Sequence, residues 1–188
     1  MSETITLVAL LRGVNVGGKN RIPMTDLKSS LSSLGLEKVT TYIQSGNVVF
    51  GSPAGDARDI AAGIEQRIAD VFGISVAVLL RTPAELGEIA DNNPFVSGVA
   101  DLSKLHVAFL DGTPAADAVA RLDPQRSPPD AFSIRGRDIY LHFPNGAGRS
   151  KLTIDYFERL LAVRATARNW NTLTRLLAMT QGPPDGGE

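Results

Sequence analysis

Apolar positions along this chain fall into short runs whose spacing alternates between strand-like and helix-like. Ile5 to Leu11 is a continuous apolar run of strand length. Pro23 then opens a segment with Leu27, Leu31 and Leu34 at helical spacing, stopped by Gly35. Val39 to Ile43 and Val48 to Phe50 are two short strands joined by Gln44-Ser45-Gly46-Asn47, a hairpin signal. Ala57 to Phe72 sets Ile60, Ile64 and Ile68 on one helical stripe and ends at Gly73, after which Ile74 to Leu80 reads as a fourth strand.

Thr82-Pro83 caps a connecting helix through about Ala90, broken by Asp91-Asn92-Asn93-Pro94. The order then repeats: a strand at Leu105 to Leu110, a helix at Pro114 to Leu122, and a hairpin of Ala131 to Arg135 with Asp138 to Phe143 around Gly136. A helix at Leu152 to Val163, a short strand at Ala165 to Asn169 and a closing helix at Leu173 to Met179 complete it. Two β-α-β-β-α-β series predict an α+β protein of two tandem ferredoxin-like units with antiparallel sheets. The expected divisions are a domain at 1–81, a helical connector at 82–103, a second domain at 104–181 and a flexible Gly/Pro-rich tail at 182–188. The halves share the order of elements but no residue-level repeat, and the first and third strands of each sheet are expected to run parallel at its centre.

Composition narrows the class without changing this architecture. Hydrophobic residues make up 43% and charged residues 21% of 188, as in ordinary globular domains. The absence of cysteine excludes disulfides, thiolate metal sites and cysteine nucleophiles. No secretory signal pattern or membrane-length apolar run stands out, so a cytoplasmic protein without membrane contact is the expectation. The net charge of −1 is unevenly spread: residues 1–50 balance to +2, 51–140 to −5, 141–181 to +4 and 182–188 to −2. Basic excess therefore coincides with the loops of unusual composition, which points to local anion sites and away from a general polyanion coat.

The foremost of those loops is "RGVNVGGKNRIP", residues 12–23. From Gly13 it reads G-V-N-V-G-G-K-N, a Walker A pattern whose last hydroxyl residue is replaced by Asn20. A phosphate-cradling helix would have to begin at the Gly-Lys pair, yet Pro23 sets the helix start beyond it. A turn in which the asparagines cap local backbone is the plainer reading. The functional one is an anion site with Arg12, Lys19 and Arg21 as donors, supported by Asn15 and Asn20.

Taken together, "LLRGVNVGGKNRIPM", "TYIQSGNVVF", "NPF", "FPNGAGRSKL" and "ATARNWNT" resemble the family catalogued as domain of unknown function 1697, over nearly the whole chain and in order. The resemblance implies two ferredoxin-like domains and brings no activity, cofactor or catalytic residue with it. Ala167 stands in a stretch that relatives often write "ATTRNWNT".

Function is therefore argued from side-chain chemistry. In "NGAGRSKL" Ser150 reads as the N-cap of the following helix, with Arg149 and Lys151 beside the positive end of its dipole, a placement that favours an incoming anion. In "RNWNT" Trp170 fits beneath the last helix with Asn169 or Asn171 as cap, while base stacking by Trp170 with Arg168 on a phosphate is the alternative. Sheet-face reading of single-stranded RNA would need aromatics on the central strands; the first half has only Phe50 and the second has Tyr140 and His142 on one strand face. Neither an H-E-x-x-H pair nor a G-x-S-x-G elbow occurs, and His106 and His142 read as structural. These motifs consist of Arg, Lys, Asn, Gln and Gly, which hold anions and amides more than they move protons. The expectation is a binding protein, with no catalytic, metal or cofactor residues assigned, whose partner is a phosphate-containing small molecule or nucleic acid. Its binding residues would be Arg12, Asn15, Lys19, Asn20, Arg21, Arg149, Ser150, Lys151, Arg168 and Asn171. Two alternatives remain: a magnesium-dependent phosphotransferase with Lys19 on phosphates and Asp111 on the metal, and an interaction module whose loops are purely structural.

Overall fold

In the computed structural model, which describes residues 4–182, the chain divides into two compact units, one within Met1–Gly87 and Leu176–Glu188 and the other Glu88–Arg175. Except for Gly182, the expected tail at 182–188 lies outside the described residues. The first unit runs β1 (Thr4–Leu11), α1 (Met24–Ser32), β2 (Glu37–Tyr42), β3 (Asn47–Pro53), α2 (Ala57–Phe72) and β4 (Val78–Arg81), and α3 (Pro83–Asp91) follows. The second runs β5 (Leu105–Leu110), α4 (Ala116–Ala120), β6 (Ala131–Arg135), β7 (Asp138–His142), α5 (Ile154–Leu161) and β8 (Ala165–Asn169), with α6 (Trp170–Thr180) after it. The protein is thus a mixed α+β structure with two four-stranded antiparallel sheets, ordered β2-β3-β1-β4 and β6-β7-β5-β8.

The first and third strands of each sheet are neighbours but antiparallel, contrary to the expectation from sequence: Leu7 faces Phe50 and Val107 faces Tyr140. The reason is the strand–helix–strand crossover, which makes the first and second strands parallel and leaves the third, inserted between them, reversed. Loops after the first and third strands therefore leave opposite ends of their sheet. The segment after β1 shares its end with the β2–β3 turn and the entry to β4, since Leu10 pairs with Asn47 and Leu11 with Val78.

Burial explains where the elements begin and stop. One face of the first sheet (Leu7, Ala9, Leu11, Val48, Phe50) packs with Leu27 and Leu31 of α1 and Ile64 and Ile68 of α2. Leu34, expected on the α1 stripe, is 43% exposed because the helix ends at Ser32. Helix α2 closes as its sequence predicts: Gly73 adopts φ 68° and its N–H returns to the Ala69 carbonyl. In the second unit Ala108, Leu110, Ile139 and Leu141 pack with Phe157 and Leu161 of α5, and the Phe132 and Phe157 rings meet edge to face at 5.5 Å. Helix α5 starts two residues later than expected, at Ile154, because the Thr153 hydroxyl and not that of Ser150 accepts the Tyr156 N–H, at 3.2 Å. Helix α6 starts three residues earlier, at Trp170, which is 4% exposed, and the Asn169 side chain caps it by accepting the Asn171 N–H at 3.0 Å.

The units repeat at residue level, a match the linear sequence hides. Glu65 Oε1 accepts the N–H of Val78, the first residue of β4, at 2.8 Å; Glu158 Oε1 accepts that of Ala165, the first of β8, at 2.8 Å. Val8 faces Arg81 as Val107 faces Arg168. Both arginines are buried, and each donates to the carbonyl one residue before it, Leu80 at 3.0 Å and Ala167 at 2.9 Å.

Two predictions come from this packing. Gly46 (φ +74°) and Gly136 (φ +57°) both hold left-handed turn positions, but a Cβ on Gly46 would lie 2.7 Å from Leu11 Cβ and 3.3 Å from Val14 Cβ, whereas one on Gly136 meets nothing within 4 Å. Gly136→Ala should cost about 1–2 kcal/mol for the backbone alone. Gly46→Ala should add overpacking, for a total of about 2–4 kcal/mol, read as a larger fall in the urea midpoint at unchanged slope. The second concerns Tyr140, whose hydroxyl donates to the Ile89 carbonyl at 3.0 Å and whose pKa burial, reinforced by Asp138, pushes up from 10.0 to about 12. Its contribution is complete below pH 10, where the phenol is neutral in both folded and unfolded chains. Above that the unfolded chain ionises first, so stability falls as the pH rises from 10.0 to about 12. Melting temperatures should drop more steeply across that window in the native protein than in Tyr140→Phe.

Candidate functional site

The connection from β1 to α1 departs most from what the scaffold requires. Five of its residues, Gly13, Asn15, Gly17, Gly18 and Asn20, take positive φ, between 49° and 76°. The segment folds on itself as a miniature hairpin: Asn15 N–H donates to the Asn20 carbonyl at 3.1 Å and Lys19 N–H to the Val16 carbonyl at 3.0 Å. Gly17-Gly18, at φ 58° and 76°, form its two-residue turn, a conformation glycine adopts without steric cost. Val14 and Ile22, each 1% exposed, root the excursion in the core.

The asparagines hold the hairpin in place. Asn15 Nδ2 donates to the Ile22 carbonyl at 2.9 Å and to the Gln44 carbonyl at 2.8 Å, while its Oδ1 accepts the Ile22 N–H at 2.9 Å. Asn20 Nδ2 donates to the Gly13 carbonyl at 3.1 Å. These amides are spent on the loop's own backbone and on the β2–β3 turn, which is thereby fastened beside it. Arg12 sits half-buried at the root, its N–H on the Ala77 carbonyl at 2.9 Å.

Lys19 and Arg21 differ. Both are exposed, and their side chains make no hydrogen bond or ion pair among the described residues. Two large apolar side chains accompany them at this end of the sheet, Val16 at the hairpin tip (63% exposed) and Ile43 in the adjoining turn (49% exposed). Ile43 has φ 49°, a left-handed conformation costly for a β-branched residue. Sequence periodicity had assigned Ile43 to a strand; its exposure follows from β2 ending at Tyr42.

A nucleotide-cradling P-loop geometry is not formed here. Lys19 lies in a hairpin, and α1 begins at Met24 with Pro23 as its N-cap, so no helix N-terminus meets the Gly-Lys pair. Asp111 is likewise engaged: its Oδ1 accepts the Arg164 N–H at 2.9 Å and its Oδ2 the Arg164 Nε–H at 2.8 Å. Among the described residues no group of three or more His, Asp or Glu side chains is placed to share a metal ion. No helix among them is long and apolar enough to cross a membrane.

The expected residues of the second unit separate. Arg149 and Lys151 are exposed in the segment between β7 and α5, Arg149 ending a short 3-10 turn. Ser150 Oγ accepts the Leu152 N–H at 3.0 Å and so serves its own turn. Arg168 lies 8% exposed on β8, donating to Thr166 Oγ1 at 2.8 Å, and burial pulls its pKa down to about 10, still charged at neutral pH. Asn171 is exposed on the first turn of α6. Tyr140 is 2% exposed, His142 lies 5.9 Å from the Phe95 ring, and burial lowers the pKa of His106.

One basic residue escaped the sequence reading. Arg126 stacks over the Tyr156 ring at 4.1 Å and its Nε donates to the Lys151 carbonyl at 2.9 Å. Only the tertiary fold brings it to Lys151; the surrounding "PQRSPP" has no periodic signal.

The comparisons with known proteins agree with this architecture. A solved structure, that of conserved bacterial protein SP0830 from Streptococcus pneumoniae, is similar with a TM-score of 0.71 at 25% sequence identity, covering 95% of this chain and 99% of that one. No curated protein matches the chain. The family model described as "Protein of unknown function (DUF1697)" matches residues 5–140, and by that match over most of its length the chain belongs to this family.

Proposed function

We propose that the protein is built of two ferredoxin-like units and binds the phosphate backbone of a nucleic acid through the hairpin at residues 13–21. The observation that carries this reading is the rigid presentation of Lys19 and Arg21. Both cations are unpartnered among the described residues, on a loop whose shape Asn15 and Asn20 fix with four side-chain hydrogen bonds. Preorganisation of this kind lowers the ordering cost of binding. Lys19 stands beside the Gly17-Gly18 tip and Arg21 at the base next to buried Ile22, and two exposed cations spaced along one loop suit the extended run of phosphates in a polyanion. Val16, exposed at the same tip, adds apolar contact that a purely electrostatic loop would lack. Arg12 at the root supports the site from the half-buried side.

The reading is tested by fluorescence anisotropy with a labelled oligonucleotide across a salt series. Replacing both Lys19 and Arg21 with alanine should weaken binding by about tenfold or more, since a charge-assisted contact contributes about 1.5–3 kcal/mol. The salt slope should become shallower by about the two lost phosphate contacts. Stability should change by less than about 0.5 kcal/mol because both side chains are solvated. Asn15→Ala should weaken binding as well, yet with a loss of stability, because it unfastens the loop from the β2–β3 turn. Unchanged affinity and salt slope in the double variant would overturn the proposal and leave the hairpin as a structural turn.

A further inference from the structure

The segment from β7 to α5 and the loop before β6 are fastened to each other within the second unit. The junction is specific: Lys151 N–H donates to Ser127 Oγ at 3.1 Å, and Arg126 Nε–H donates to the Lys151 carbonyl at 2.9 Å. Arg126 is half-buried, its guanidinium lying over the Tyr156 ring at 4.1 Å. That ring is itself fixed, being 4% exposed, with its hydroxyl accepting the Asp123 N–H at 2.9 Å. A guanidinium held by a ring below and a carbonyl at Nε has lost most of its rotameric freedom, while its terminal N–H groups make no hydrogen bond among the described residues.

Arg149 and Lys151 add two exposed cations on the same segment. None of the three forms an ion pair with an acid among the described residues. The neighbouring acids have other engagements: Asp130 accepts from Ser127 Oγ at 2.8 Å and Asp123 from the Gln125 N–H at 2.8 Å. Asp155, in the first turn of α5, is also partnered. Three cations on these two fastened segments, none paired with an acid, repel one another wherever they approach unless an anion joins them. Their combined charge exceeds what one carboxylate neutralises and favours a multiply charged anion, and the fixed arginine fork suits bidentate contact with tetrahedral phosphate.

We propose that Arg126, Arg149 and Lys151 form a binding site for the terminal phosphate of a small phosphomonoester, with Tyr156 as the residue that positions Arg126. This goes beyond the nucleic-acid reading and does not depend on it, because neither Lys19 nor Arg21 takes part.

The test is a titration of the full chain with inorganic phosphate, followed by backbone and arginine Nε NMR signals. Saturable shifts confined to residues 126–127 and 149–152 are expected. Affinity should rise between pH 5.5 and 7.5, as the phosphate becomes doubly charged with a second pKa near about 6, whereas sulfate should bind equally at both. Arg126→Lys keeps the charge but loses the fork and the stack, and should weaken phosphate by at least tenfold. Arg149→Ala, at an exposed position, should weaken it severalfold without altering the fold. Replacing Lys19 and Arg21 should leave phosphate binding unchanged, so failure of either proposal is read separately. Unsaturable shifts spread over all basic residues, or an Arg126→Lys variant within twofold of the native protein, would mean an adventitious ion only and overturn the site. Oligonucleotide that competes for the same signals more tightly than phosphate would overturn the small-molecule assignment.

Discussion

Each unit depends on its last strand reaching back to pair along its first. Within a unit this is among the most remote of pairings, Leu11 with Val78 and Leu110 with Ala165, and it must be closed against the entropy of the intervening chain. Both units secure the joint in the same way. A glutamate on the preceding helix takes the first N–H of the arriving strand, and a buried arginine three residues on bonds the carbonyl before it. An unpaired amide at the entrance to a buried strand would cost about 1–3 kcal/mol, so these glutamates matter out of proportion to their number. With the fourth strand seated, the first strand has a partner on either side and its end of the sheet becomes a platform for loops.

Much of the scaffold was legible as periodicity. Helix α2 and strands β5, β6 and β8 coincide with the patterns that predict them, helped at α2 and β6 by a strong boundary residue, Gly73 and Gly136. The ends that moved were those where two residues compete for one role. Ser150 and Thr153 both offer a capping hydroxyl, and only the path of the chain through buried Leu152 gives the cap to Thr153. The central place of the first and third strands was legible and their direction was not, because a strand inserted between two crossover-linked parallel strands has to run against both.

The candidate site was legible in residue type but not in role. Lys19 and Arg21 stood out as cations among glycines, and the structure leaves them exposed. Asn15 and Asn20 stood out equally, yet their amides hold the loop together; the bond from Asn15 to Gln44 spans 29 residues, and no local pattern announces it. Arg126 was invisible for the same reason, since its partners are a ring and a carbonyl 30 and 25 positions away. Arg168 misled in the opposite sense: it sits in a distinctive motif, but the repeat between the units identifies it as the counterpart of buried Arg81.

That correspondence extends to the residue leaving the first strand. Arg12 and Asp111 each donate a backbone N–H to the residue just before the fourth strand, Ala77 and Arg164. After Leu110 the chain reaches its helix through 111–115; after Leu11 it takes the whole of 12–23. One unit therefore closes its sheet without such a hairpin, so the strand order itself does not require one, although here Asn15 fastens it to the β2–β3 turn. An appendage that the strand order does not require can differ in length and charge between the two units while the same sheet pattern lies beneath it.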